Sequence, residues 1–97
     1  MAEQDITRLH AIVQGRVQGV GFRFFVVENA QRLDVTGWVR NRWDDTVEVV
    51  AEGPRPTLEK LVKALNRGPS GAFVTSVKTE WKPATGEFKR FGTLATY

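Results

Sequence analysis

Nine consecutive residues, Gly15-Arg16-Val17-Gln18-Gly19-Val20-Gly21-Phe22-Arg23, carry the densest chemistry in the chain. They join an alternating apolar run (Leu9, Ala11, Val13) to a helical pattern (Phe22, Phe25, Val26, Ala30, Leu33). Gly15, Gly19 and Gly21 therefore sit where a strand hands over to a helix. Glycine accepts backbone angles that other residues avoid and lets a ligand approach the main chain closely. A helix entrance offers unpaired N–H groups and the positive end of the helix dipole. These are the parts of a phosphate cradle, and Arg23, in the first helical turn, adds a planar guanidinium able to grip two phosphate oxygens. The stretch has neither the Gly-Lys-Ser/Thr ending of a P-loop nor the Gly-x-Gly-x-x-Gly spacing of a dinucleotide site. Taken alone, it reads equally as a tight structural turn.

Asn41 is the second candidate. An asparagine there either faces a ligand or bonds its own backbone beside a turn, and the residues alone leave both readings open. Other candidates fall away. His10 is the only histidine, but it alternates with Leu9 and Ala11 well before the glycines, as a strand-face residue with no catalytic role. Asp44 and Asp45 are adjacent carboxylates with no third ligand, which suits a solvated turn better than a metal. Of Phe22, Phe24 and Phe25, two fit the apolar stripe, so core packing outweighs base stacking.

The elements that must position these residues follow from periodicity. Alternation predicts strands over 9–14, 36–42, 47–52 and 73–82, and the tail 88–97 adds a short edge strand. Helical stripes cover 22–33 and, after Gly53-Pro54-Arg55-Pro56, the stretch to about Asn66, which Arg67-Gly68-Pro69 stops. The order is βαββαβ, a ferredoxin-like α+β sandwich with an antiparallel sheet and two helices on one face. A right-handed crossover makes the first two strands parallel, with the third between them and antiparallel to both. The ends of the first two strands then share one end of the sheet, about 10 Å apart at two strand spacings. The glycine loop and Asn41 can therefore converge on one ligand.

Composition sets the outer bounds. Ninety-seven residues, 41% hydrophobic and 26% charged, make one domain over 1–97, with a polar segment 1–7 expected to be flexible. There is no cysteine and hence no disulfide framework. No apolar run reaches the roughly 20 residues of a membrane span, and no signal-peptide core is visible. The expectation is a cytoplasmic protein with no membrane partner. A net charge of +3, from 14 basic and 11 acidic residues without a basic block, is ordinary surface solvation that mildly favours anions.

The nine-residue stretch, followed in register by Gly37-Trp38-Val39-Arg40-Asn41, closely resembles the two signatures of the acylphosphatase family, and the likeness extends over nearly the whole chain. One departure lies in the hairpin turn, where the family usually has a glycine and this chain has Asp44-Asp45. The resemblance implies hydrolysis of the carboxyl–phosphate bond of small acyl phosphates. Arg23 would hold the phosphoryl oxygens with the main-chain N–H groups of Arg16 to Gly21, and Asn41 would orient the attacking water. The implied phosphate-binding set is Gly15, Arg16, Val17, Gln18, Gly19, Val20, Gly21 and Arg23, and the implied catalytic pair is Arg23 and Asn41. Phosphate or sulfate should compete as anions, and a monomer is expected.

The residues agree with that chemistry. There is no cysteine, and no histidine near the loop, to form a covalent phosphoenzyme. Direct attack by water remains, and it asks mainly for positioning and charge stabilisation. Carboxylate is a good leaving group, so no strong general acid is required.

Two rivals are weaker. RNA-recognition domains share the βαββαβ order, but their aromatic string belongs on the third strand, where 47–52 has no aromatic. Domains fused to hydrogenase-maturation proteins resemble acylphosphatase but continue into cysteine-rich zinc motifs, and this chain has no cysteine. No nucleic-acid partner, cofactor or metal is expected. Phosphate release from acetyl phosphate should accordingly survive exhaustive dialysis against a chelator. Activity lost on dialysis and restored only by added metal would contradict this.

Overall fold

The computed structural model describes residues 5–97. The elements run β1 (Ile6–Arg16), α1 (Phe22–Arg32), β2 (Thr36–Asn41), β3 (Val47–Pro54), α2 (Arg55–Arg67), β4 (Phe73–Pro83) and β5 (Phe91–Thr93). The sheet order is β4-β1-β3-β2-β5. β3 lies between β1 and β2 and is antiparallel to each, as the crossover argument requires. β4 adds antiparallel to the outer side of β1. The antiparallel expectation holds for these four strands, whereas β5 pairs with β2 in parallel and makes the sheet mixed. The tail reaches that edge by crossing from β4 at the opposite edge, so it can arrive in the direction of β2.

One face of the sheet is apolar. Leu9, Ala11 and Val13 of β1 and Val47, Val49 and Ala51 of β3 are fully buried there. They pack in one cluster with Phe22, Val26 and Ala30 of α1 and Leu58, Leu61 and Leu65 of α2. These helix positions recur at three- and four-residue intervals, so each helix turns a single stripe to the sheet. Phe22 is buried and Phe25 partly so, while Phe24 is 68% exposed and lies off the stripe.

Boundaries shift where pairing extends them. β1 begins at Ile6, because Ile6 and Thr7 pair with Pro54 and Gly53. The flexible segment expected over 1–7 therefore does not include Ile6 or Thr7, and its residues 1–4 lie outside the described residues. β1 also continues through Gly15 and Arg16, which pair with Val74 and Phe73 across a register shift after Gln14. Gly15 has φ 127°, and a Cβ there would fall on the Phe73 carbonyl oxygen. Glycine is what allows β1 and β4 to stay paired through this irregularity.

The opposite face of the sheet is polar and closed by ions. The buried Glu48 of β3 accepts from His10 (Nε2, 2.7 Å), Arg40 (Nε, 2.8 Å) and Arg42 (Nη1, 3.2 Å). Glu52 accepts from Arg8 (2.7 Å) and from the main-chain N–H groups of Thr85 and Gly86. His10 thus serves this cluster, on the face away from the helices. The Arg40 guanidinium lies over the Trp38 ring at 4.6 Å and the Tyr97 ring at 4.2 Å, tying the C-terminus to β2.

Burial by itself would raise the Glu48 carboxyl, but hydrogen bonds from His10, Arg40 and Arg42 outweigh it and hold its pKa below the ordinary 4.5. The stability this group contributes is complete above the unfolded-state value and is lost as pH falls through the lower folded value. Unfolding free energy, measured by denaturant titration, should be flat from neutral pH to about 5.5 and then fall steadily. Glu48→Gln should be about 2 kcal/mol less stable at pH 7 and lose less between pH 5 and pH 3. An equal acid slope in both proteins would contradict this.

Candidate active site

β1 delivers the chain to the top of the sheet and α1 carries it away. Between them, Val17 is 1% exposed and anchors the loop in the core. Gly19 and Gly21 take φ 74° and 76°, left-handed values that turn the backbone into the helix without a side-chain penalty. Gly21 is the N-cap of α1; no side chain among the described residues caps that end, and the first turn holds no acidic residue. The first intrahelical bond recorded there runs from the Phe25 N–H to the Gly21 carbonyl at 3.0 Å. Among the described residues, the N–H groups of 18–21 donate to no main-chain or side-chain acceptor. A run of unpaired donors at a helix N-terminus is the arrangement that receives an anion.

Gln18 does something the sequence did not reveal. Its Nε2 donates to the carbonyl of Arg42 (2.8 Å) and the carbonyl of Thr46 (2.9 Å), tying the loop to the hairpin between β2 and β3. That hairpin closes without glycine. The Arg42 N–H donates to the Thr46 carbonyl (2.9 Å), and the Asp45 N–H to the Arg42 carbonyl (3.1 Å). Asp44 Oδ1 accepts from the Thr46 N–H (3.1 Å) and hydroxyl (2.6 Å), and Asp45 supplies the left-handed residue at φ 72°. Aspartate tolerates that region better than most side chains. The two Thr46 bonds hold the Asp44 carboxyl below its ordinary pKa. Asp44 and Asp45 are therefore turn residues.

Asn41 ends β2 opposite Val47, on the helix-covered face like Val39 opposite Val49. Its carbonyl accepts from the Tyr97 N–H at 3.1 Å, but its carboxamide makes no hydrogen bond among the described residues. The own-backbone alternative thus finds no bond. Arg23 projects from the first turn of α1, exposed and in no ion pair among the described residues. Arg23 and Asn41 line the same cleft, of about 620 Å³, together with Val17, Gly19 and Gly21.

The remaining predicted residues lie outside that lining. Gly15 and Arg16 belong to β1, Gln18 turns to the hairpin, and the Val20 side chain packs beside Gly71. The cleft also uses Phe24, Val27 and Gln31 of α1 and all of β5. Helical spacing could have put the first three on one face. No sequence signal told that β5 would close the far side.

The class defined by this architecture is a ferredoxin-like α+β sandwich with an open cleft where β1 and β2 end. The acylphosphatase family model matches residues 9–93, and the chain belongs to that family. An acylphosphatase of Salinibacter ruber is 50% identical over 84 residues, covering 87% of this chain and 88% of that one. The crystal structure of acylphosphatase from Bacillus subtilis superposes with a TM-score of 0.88 at 39% identity, covering 91% of this chain and 98% of that one. Full-length HypF contains a similar unit, with a TM-score of 0.87 and 25% identity over 98% of this chain but only 13% of HypF. The chain is an acylphosphatase enzyme: it hydrolyses acyl phosphates to a carboxylate and inorganic phosphate.

Gln18→Ala removes two hydrogen bonds from carbonyls that each keep one other partner. It should cost about 1–2 kcal/mol and lower Tm by about 5–10 °C in a thermal melt. An unchanged Tm would show that the loop does not depend on this tie.

Proposed function

We propose that the cleft between the 17–21 loop, Arg23 and Asn41 is the catalytic site for acyl phosphate hydrolysis by direct attack of water. One observation carries the reading: the loop N–H groups, the Arg23 guanidinium and the Asn41 carboxamide, all without a partner among the described residues, face one cleft. The loop donors and Arg23 hold the phosphoryl oxygens and neutralise charge that builds on them in the transition state. Asn41 holds a water in line with the bond to be broken. Its side-chain oxygen accepts a hydrogen bond from the water. The water oxygen forms a bond to phosphorus as the bond from phosphorus to the carboxyl oxygen breaks. That electron pair leaves with the carboxylate, and the water's proton passes to a phosphate oxygen or to solvent. No general acid is needed, because the leaving carboxylate is already stable.

Of the expected phosphate-binding set, Gln18, Gly19, Val20 and Gly21 offer main-chain N–H groups and Arg23 its guanidinium as direct contacts. Gly15, Arg16 and Val17, with the side chains of Gln18 and Val20, act by shaping the loop. Inorganic phosphate or sulfate competes for the same donors, which present to any tetrahedral oxyanion. Further readings concern the setting. The enzyme works in the cytoplasm as a monomer, since one chain supplies the whole cleft. It works without a membrane or nucleic-acid partner. Among the described residues no helix is long and apolar enough to cross a membrane. On the open sheet face Arg8 and His10 of β1 bond Glu52 and Glu48 of β3, and the Arg40 guanidinium covers the Trp38 and Tyr97 rings that bases would need for stacking.

The test separates the two residues. Arg23→Ala loses contacts made in both ground and transition states, so kcat falls and the phosphate Ki rises, a loss of about 3–5 kcal/mol in kcat/KM. Arg23→Lys keeps charge without the planar fork and also loses heavily. Asn41→Ala should depress kcat by several kcal/mol while phosphate Ki stays within about fivefold. Near-normal kcat in Asn41→Ala, or equal weakening of phosphate by both alanine variants, would overturn the division of roles.

A further inference from the structure

The cleft is longer than a phosphate needs. Gly19, Gly21, Arg23 and Asn41 account for only part of its lining, its head. The rest of the lining comes from α1 and β5. Phe24, Val27 and Gln31 are three and seven residues apart, so they form one wall about 10 Å long at 1.5 Å rise per residue. Phe91 and Thr93 of β5 form the other wall, sharing the helix-covered face with their β2 partners Gly37 and Val39. The volume of about 620 Å³ lies in the range filled by drug-sized ligands.

Two features of this groove call for an occupant. Phe24 is 68% exposed although it stands beside the core residues of α1, so its ring is presented to the groove mouth rather than packed. Apart from Arg23 at the head, no charged side chain among the described residues lines the walls. A charged group entering the groove would shed water with nothing to replace it. An apolar one would gain contact with Phe24, Val27 and Phe91.

We propose that the groove between α1 and β5 is the acyl-group subsite, and that it selects acyl phosphates carrying an aromatic or bulky apolar acyl group over small or charged ones. The assignment rests on the reading of the loop and Arg23 as the phosphoryl site. A phosphoryl group held by the loop and Arg23 leaves the rest of the same cleft, lined by Phe24, Val27, Gln31, Phe91 and Thr93, for the acyl group. Phe24 is then a specificity-determining residue: its ring lies alongside the acyl group, one position after the guanidinium that holds the phosphoryl group.

The experiment compares kcat/KM for benzoyl phosphate and acetyl phosphate in the native chain, Phe24→Ala and Phe24→Leu, with 3-carboxypropanoyl phosphate as the charged probe. The benzoyl-to-acetyl ratio should fall about tenfold in Phe24→Ala and be largely restored in Phe24→Leu. The charged substrate should be the poorest of the three in the native chain. A merely structural effect of Phe24 would lower all substrates together and leave the ratio unmoved. A ratio unchanged in Phe24→Ala, or a preference for the charged substrate, would overturn the acyl subsite. Failure of the underlying site reading would look different: Arg23→Ala would then keep native activity and native phosphate affinity whatever the ratios did.

Discussion

The structure depends on β3 being buried on both faces while carrying two carboxylates. Val47, Val49 and Ala51 face the helices and are inaccessible. Glu48 and Glu52 face the other way and are nearly as buried, at 6% and 4%. A lone carboxylate in such a place would be strongly destabilising. Each is made tolerable by hydrogen-bond donors from the flanking strands: the Arg8 guanidinium and the His10 ring from β1, Arg40 from β2 and Arg42 just beyond it. Because these partners come from both neighbours, the same interactions that satisfy β3 also hold β1 and β2 in register on either side of it.

That placement sets the site. β1 and β2 are each antiparallel to β3 and so parallel to one another, and their C-terminal ends meet at one end of the sheet. The loop after β1 and the carboxamide at the end of β2 are then neighbours across a single intervening strand. Gln18 bridges the remaining distance by bonding the two carbonyls of the hairpin beside Asn41. The apolar face and the helix dipole do the rest: packing of Phe22 and Val26 aims the N-terminus of α1, with its unpaired N–H groups, into the same cleft.

The parts of the cleft differ in how firmly they are held. Val17 is sunk in the core, and Asn41 is fixed by the β2–β3 ladder and by the bond from Tyr97 to its carbonyl. Phosphoryl chemistry is mostly positioning and charge, so a rigid frame around open donors suits it. The part of the cleft proposed for the acyl group is framed differently, by the short strand β5 and by an exposed helix face. Phosphoryl positioning and acyl selection are thereby assigned to separate parts of one groove.

Much of this was legible in the sequence because it is local. Alternation in Leu9-Ala11-Val13, the stripes of α1 and α2, the glycines before Phe22 and the Arg23 and Asn41 motifs are short-range patterns. They carry the element order, the handed crossover and the family. Tertiary structure decided what depends on distant partners. Gly15 and Arg16 became strand rather than loop because β4, nearly sixty residues later, pairs with them. The Gln18 side chain became a tie because the hairpin offered two carbonyls. Glu48 and Glu52, which alternation alone would place as ordinary solvent-facing residues, were buried by the strands on either side. β5 became a parallel edge strand because the tail meets β2 at the far edge, where Gly37, Trp38 and Val39 leave their outer hydrogen-bonding side free. Local periodicity states which way a side chain faces, but only the assembled sheet states what stands opposite it.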